Sequence, residues 1–99
     1  MEFNSTEEII QDVAAGKIVI LLDDEDRENE GDLVCAAELV DDKKINFMIS
    51  KAKGLVCLPL SPQKCDQLNL PMMTNNNRAK HGTGFTVSIE AAEGITTGI

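Results

Sequence analysis

Tryptophan and tyrosine are absent from the 99 residues, and the three aromatics present are all phenylalanine. A core must therefore be assembled from Ile, Leu, Val, Met and Ala, which a chain of this size can do on a modest scale. Long apolar runs are missing too. Ile18-Val19-Ile20-Leu21-Leu22 falls far short of the ~20 residues a bilayer span requires, and no basic-then-apolar leader is visible at the start. Positive charge is scarce, with 9 Lys and Arg against 17 Asp and Glu. No basic stripe interleaves with aromatics, which disfavours nucleic acid and anionic membrane as partners. Cys35, Cys57 and Cys65 are odd in number and lack CxxC spacing, a pattern that fits a reducing compartment better than a disulfide framework or a zinc site. These absences point to a soluble, cytoplasmic protein.

Acid is what the chain has in excess, and it is concentrated. Asp23-Asp24-Glu25-Asp26-Arg27-Glu28-Asn29-Glu30-Gly31-Asp32 holds seven carboxylates and one guanidinium in ten consecutive positions, carrying most of the net charge of −8. Carboxylates this close repel one another unless positive charge sits among them. Arg27 supplies one such charge. A hard divalent cation, Mg²⁺ or Mn²⁺, is the natural second, since it takes oxygen ligands and is commonly held by one or two protein carboxylates plus water and substrate oxygens. An acidic run is more often a solvated face, but this one is internal and lies between apolar segments at 18–22 and 33–37, where a loop at the end of a core strand can build a site. Gly31 adds a position able to turn the backbone or approach a ligand closely. A calcium hand fits the spacing Asp26-x-Glu28-x-Glu30-Gly31 but fails later: the closing bidentate position falls on Ala37, Glu38 comes one residue late, and the preceding flank is β-branched rather than an amphipathic helix.

In chain order, Ser5 caps a first helix with Glu8 completing a capping box, Ile9, Ile10, Val13 and Ala14 share its apolar face, and Gly16 stops it. The strand at 18–22 is so continuously apolar that both its faces are expected to be covered. Residues 33–37 read as the returning strand. Asp41 or Asp42 caps a second helix through about Lys53, with Ile45, Met48, Ile49 and Ala52 as its stripe and Gly54 as its end. Residues 55–59 read as a short buried strand, and Ser61-Pro62 opens a brief third helix with Leu60 placed to staple against Cys65. Residues 74–84, with three consecutive Asn and two Gly, read as an exposed loop. His81, the one histidine, is expected to be plain surface there. Phe85, Val87 and Ile89 alternate with Thr86 and Ser88 as in a strand, and Ile95-Thr96-Thr97 begins another. No linker or internal repeat divides residues 1–99, so one domain or one contiguous piece of a domain is expected.

The string at 23–33, together with Gly54-Leu55-Val56-Cys57-Leu58, Leu70-Pro71-Met72-Met73, Gly82-Thr83-Gly84-Phe85-Thr86-Val87-Ser88-Ile89 and Gly94-Ile95-Thr96-Thr97-Gly98, resembles the 3,4-dihydroxy-2-butanone 4-phosphate synthases of riboflavin biosynthesis. The resemblance implies an α+β fold, a mixed β-sheet with flanking helices, present here as the N-terminal portion of the domain. It implies a homodimeric lyase that converts D-ribulose 5-phosphate to L-3,4-dihydroxy-2-butanone 4-phosphate and formate with Mg²⁺ or Mn²⁺. Position by position, Glu28 matches the metal-ligating and catalytic glutamate, Arg27 and Asp32 match substrate-contacting positions with Asp32 also catalytic, and Glu30 in the same motif is a candidate base. Thr97 matches a hydroxyl that reaches substrate. Cys57 falls near the family's site and reads equally as a buried strand residue. The family's Ser-Ala-x-Asp-Arg segment and its basic loop, with the phosphate contacts and a metal-ligating histidine, find no counterpart in these residues, so the polypeptide alone is expected to be inactive, with unpaired sheet edges that favour self-association or disorder of residues 74–99. The reading from another functional class is a non-enzymatic acidic module that binds a metal or a basic partner.

Overall fold

The structure, a computed structural model, describes residues 2–96. These fall into two compact units, one through Leu58 and the other from Pro59.

The first unit opens with helix α1, Thr6–Ala14, and its start is set by the capping box the sequence announces. Glu8 N–H donates to Ser5 Oγ at 3.3 Å, and Ser5 N–H donates to Glu8 Oε2 at 2.7 Å, which satisfies two amides that helix geometry leaves without partners. A residue with φ of +82° stops the helix; it is Gly16, where a side chain would be strained. Strand β1, Val19–Leu22, follows and packs against α1. It pairs antiparallel with β2, Gly31–Val34, in the register Val19 to Val34, Ile20 to Leu33, Leu21 to Asp32 and Leu22 to Gly31. Among the described residues this two-stranded ladder is the sheet, and the whole acidic run at 23–30 is the loop that joins its strands. A 3₁₀ turn, Ala37–Leu39, sets Leu39 against Gly16. Helix α2, Asp42–Lys51, then takes Asp41 as its cap: Lys44 N–H donates to Asp41 Oδ1 at 2.8 Å.

Several expectations are corrected in this unit. Val19, at 7% exposure, is the one buried apolar residue among those described, whereas Ile20 and Leu22 are 62% and 59% exposed. Leu21, on the same face as Val19, is 45% exposed as well, so within this strand only Val19 is covered. The α2 helix ends earlier than Lys53, and its left-handed terminal residue is Lys53 (φ 59°) rather than Gly54. Lys53 N–H still reaches back to the carbonyl of Met48, so the backbone closure wins over the side-chain cost of that conformation. Residues 55–58 form no strand: Leu55, Val56, Cys57 and Leu58 are all exposed.

In the second unit Ser61 caps helix α3, Pro62–Gln67, with Pro62 at the first helical position and Lys64 N–H donating to Ser61 Oγ at 3.1 Å. Leu60 and Cys65 are both half-buried. Residues 74–84 have no regular structure, but Asn77 braces them: its Nδ2 donates to the carbonyls of Gly82 and Thr83 at 3.2 and 2.8 Å, while its Oδ1 accepts from Ala79 N–H. The expected strand at 85–89 is reduced to a single antiparallel bridge, Met72 to Thr86. Thr86 is the better covered residue there, and Phe85, Val87 and Ile89 are exposed. Ile95 and Thr96 are irregular, and Thr97 lies outside the described residues.

The total accessible surface is large for the mass of the chain. The chain exposes 8826 Å², against about 6,700 Å² expected for two separately compact bodies sharing its mass. Among the described residues the outer edges of the ladder are unpaired, and Ile20 and Leu22 remain exposed.

Candidate functional site

The acidic loop springs from Leu22 and returns at Gly31, and Asp23 N–H closes its base on the carbonyl of Glu30 at 2.9 Å. Inside it the carbonyl of Asp24 accepts from both Arg27 and Asn29 N–H, each at 3.1 Å, while Asp24 Oδ1 accepts from Asp26 N–H at 2.7 Å. These bonds form a turn of the kind an aspartate side chain readily nucleates. The left-handed position the loop needs is supplied by Asn29 (φ 52°), a residue that tolerates it. Gly31 serves a different purpose from the turn expected of it. A Cβ there would sit 3.1 Å from Leu22 Cδ2 and 3.4 Å from Ile20 Cγ2, so its bareness makes room for the neighbouring strand's side chains.

One carboxylate organises the loop, and the sequence reading did not single it out. Asp23 is the least exposed carboxylate here, 20% at its side chain; its Oδ2 accepts from Glu28 N–H at 2.9 Å, and its Oδ1 accepts from Arg27 Nε at 3.0 Å. Arg27 Nη1 also donates to Glu28 Oε1 at 3.0 Å. The signal for Asp23 was present in the sequence as an Asp and an Arg four residues apart, but that spacing indicates an ion pair only once the intervening backbone is known to turn. The amide of Glu28, and after it the Arg27 guanidinium, hold the Asp23 carboxyl below its ordinary value. In the same contacts Asp23, and then Glu28, raise Arg27 above its own.

A pH dependence follows from the depressed Asp23 carboxyl. Its stabilising contribution is complete above the unfolded-state value near 4 and disappears as pH falls through the lower folded value. Amide resonances of Arg27 and Glu28 are expected to hold steady from pH 7 to about 4.5 and to shift toward disordered positions only below that. A transition centred near pH 6 would contradict this.

Of the residues expected to form the site, the structure brings Arg27 and Glu28 into direct contact. Glu30 contributes its carbonyl to the loop base, and no hydrogen bond of its side chain is present among the described residues. Asp32 lies one step along β2, opposite Leu21 and exposed. Thr97 falls outside the described residues. Cys57 and His81 are exposed, with no acidic or metal-binding cluster gathered around them among the described residues. In the second unit, Met72, Thr74, Arg78 and Phe85 border a shallow hollow of about 250 Å³ that includes none of the expected site residues.

The fit of a divalent cation can be judged from the donor set. Among the described residues no three His, Cys, Asp or Glu side chains converge on one point. Both Asp23 oxygens are already taken by Glu28 N–H and the guanidinium. Glu28 engages one oxygen with Arg27 and is about one-third exposed, leaving its second oxygen for a hard cation. A single carboxylate suits Mg²⁺, which keeps several waters and takes further ligands from substrate.

Fold and loop together define an α+β chain that carries an exposed, carboxylate-rich loop on a two-stranded hairpin. Comparison with known proteins is more specific: the sequence profile of the 3,4-dihydroxy-2-butanone 4-phosphate synthases matches residues 7–99, and the chain belongs to that family. It is 58% identical over 99 residues to a 3,4-dihydroxy-2-butanone 4-phosphate synthase of Pseudomonas aeruginosa, covering all of this chain and 27% of that protein. It is 62% identical over 92 residues to the Neisseria meningitidis serogroup B protein of the same name, covering 93% of this chain and 25% of the other. Among solved structures, it superposes on a two-domain 3,4-dihydroxy-2-butanone 4-phosphate synthase from A. baumannii with a TM-score of 0.82 at 64% identity, over 97% of this chain and 28% of that one. It also superposes on a synthase in complex with two magnesium ions with a TM-score of 0.88 at 41% identity, over 96% of this chain and 44% of that one. The chain thus spans about a quarter of the length of the first curated relatives it matches.

Proposed function

We propose that this chain carries the acidic-loop part of a lyase site that converts D-ribulose 5-phosphate to L-3,4-dihydroxy-2-butanone 4-phosphate and formate in riboflavin biosynthesis. The observation that carries the reading is the Asp23–Arg27–Glu28 arrangement, which pins a metal-competent carboxylate beside a guanidinium in a loop shared with that family. The reaction moves protons next to a carbonyl and builds negative charge on neighbouring oxygens. Glu28 is the residue to hold Mg²⁺ or Mn²⁺, which when bound supplies Lewis-acid stabilisation of those oxygens. Arg27 orients oxyanions of the substrate, and Asp32 accepts from sugar hydroxyls. Glu30, whose carboxylate is free of partners among the described residues, is the candidate to accept a proton. Thr97 is assigned a substrate contact on the family resemblance alone. The working form is a cytoplasmic homodimer.

Arg27 is already neutralised by two carboxylates, so the acidic loop has no cation to spare for a phosphate dianion. The chain alone is therefore expected to release no formate above background from ribulose 5-phosphate, even with Mg²⁺ in excess. Combined with the remaining portion of a family synthase it should release formate in a Mg²⁺-dependent manner. Absence of turnover in that combination, with Ca²⁺ bound in preference to Mg²⁺ and no response to sugar phosphate in calorimetry, would replace the enzymatic reading with that of an acidic binding module.

A further inference from the structure

The loop at 74–84 differs in charge from the rest of this acidic chain. Arg78, Lys80 and His81 fall within four positions, and no ion pair engages Arg78 or Lys80 among the described residues. The chain has 17 acidic residues, yet none of them lines the hollow that Arg78 borders. Asn77 removes a second source of negative potential there. Its Nδ2 donates to the carbonyls of Gly82 and Thr83, and its Oδ1 accepts from Ala79 N–H at 2.9 Å, so the carbonyl oxygens of that stretch are already engaged. Thr74 Oγ1 accepts from Asn76 N–H at 3.1 Å, which leaves the hydroxyl proton of this lining residue to donate. The remaining lining is mostly apolar, with Met72, Met73 and Phe85. Backbone pairing holds these three in place: Met72 bridges to Thr86, and Met73 N–H donates to the carbonyl of Phe85 at 2.9 Å. Met72 Cε occupies the space a Gly84 side chain would take, 2.8 Å from its Cβ position.

We infer that this hollow is a binding subsite for a small aromatic anion, with the ring against Met72 and Phe85 and its phosphate or carboxylate on the Arg78 guanidinium. Size limits the ligand. At about 250 Å³ the hollow exceeds the ~150 Å³ that suffices for a benzene ring, and the remainder holds one anionic group beside the ring. Both halves of the ligand are required by the lining. An inorganic anion would use the guanidinium and leave the apolar residues wet, whereas an uncharged ring would leave the guanidinium without a partner. The guanidinium is a planar fork that takes two oxygens of one anion, and methionine sulfur and a phenylalanine ring are favourable neighbours for an aromatic ligand. Lys80 is no part of the lining, so position and not charge alone defines the subsite. No residue of the acidic loop contributes to it either, and the inference therefore stands independently of the proposed reaction.

The test is a titration of this chain with phenyl phosphate, followed by nuclear magnetic resonance, with inorganic phosphate as the comparison. Phenyl phosphate is expected to bind with a dissociation constant of about 1 mM, ordinary for a ligand of its size, and inorganic phosphate at least about tenfold more weakly. Ring-current shifts should appear at the Met72 methyl group and at the amides of Thr83 and Gly84. Arg78, Lys80 and Phe85 are exposed, so their truncation should leave the fold of the chain intact. Arg78→Ala should weaken phenyl phosphate about tenfold or more, and Lys80→Ala less than about threefold. Phe85→Ala should erase the preference for phenyl phosphate over inorganic phosphate. Equal affinity for the two phosphates in the unaltered chain would overturn the inference, as would an equal cost of Arg78→Ala and Lys80→Ala. So would shifts confined to residues outside the hollow, or no saturation by about 20 mM.

Discussion

Glu28→Gln is expected to weaken Mg²⁺ binding by this chain at least about a hundredfold, and to lower formate release by the completed enzyme about a thousandfold. Glutamine keeps the size of the side chain and can still accept from Arg27 Nη1, so the loop geometry should survive. What it loses is the formal charge, and a neutral amide oxygen is a much poorer partner for a hard cation. A thousandfold corresponds to about 4 kcal/mol of transition-state stabilisation, within the several kcal/mol that a metal acting as a Lewis acid supplies. Glu25→Gln, on the same loop but with no hydrogen bond among those described, is the control and should change metal affinity less than about threefold. Isothermal titration on the two variants decides the matter, and equal affinities would move the metal away from Glu28.

Asp23→Ala should also be damaging, about tenfold less so than Glu28→Gln and by another route. The alanine removes the acceptor for Glu28 N–H and for Arg27 Nε together, leaving the guanidinium free to swing onto Glu28 alone. Glu28 would then lose its backbone anchor and be masked by a stronger ion pair. We expect about a tenfold or greater loss of Mg²⁺ affinity and about a hundredfold loss of turnover in the completed enzyme, on the scale of residues that orient metal ligands. Asp23→Asn should recover part of both, because an amide oxygen can still accept from Glu28 N–H. The measurement that separates positioning from mere unfolding is that rescue, read beside an unchanged far-ultraviolet helical signal. If Asn is as poor as Ala, the carboxylate's charge and not its geometry is what matters.

Helix starts were legible in the sequence because caps are local chemistry. Ser5 with Glu8, Asp41, and Ser61 with Pro62 each place a side-chain acceptor within three residues of the amide it satisfies, and no distant contact can change that. The hairpin was legible for a similar reason, since two apolar runs flank a polar loop, but its return strand is Gly31–Val34 and not 33–37, so Gly31 and Asp32 belong to the ladder. Burial was not legible, because it depends on what packs against a segment. Ile20, Leu22 and Leu55 have the composition of core strands and are exposed here. At Lys53 the choice between two adjacent residues for a left-handed turn was settled by where the helix ran out, and Gly54 lost despite its lower intrinsic cost. The candidate site divides along the same line. Arg27 and Glu28 could be named from the motif, but Asp23 emerged only when the turn through Asp24 was seen to fold their backbone back upon it.

Because the loop's one guanidinium is already held by Asp23 and Glu28, an approaching sugar phosphate dianion meets net repulsion until a divalent ion has arrived. Substrate and metal should therefore load in a compulsory sequence, cation first. Stopped-flow traces would reveal this as a sugar-phosphate association rate that climbs with Mg²⁺ concentration and, in its absence, rises instead of falls as added salt shortens the reach of the loop's field.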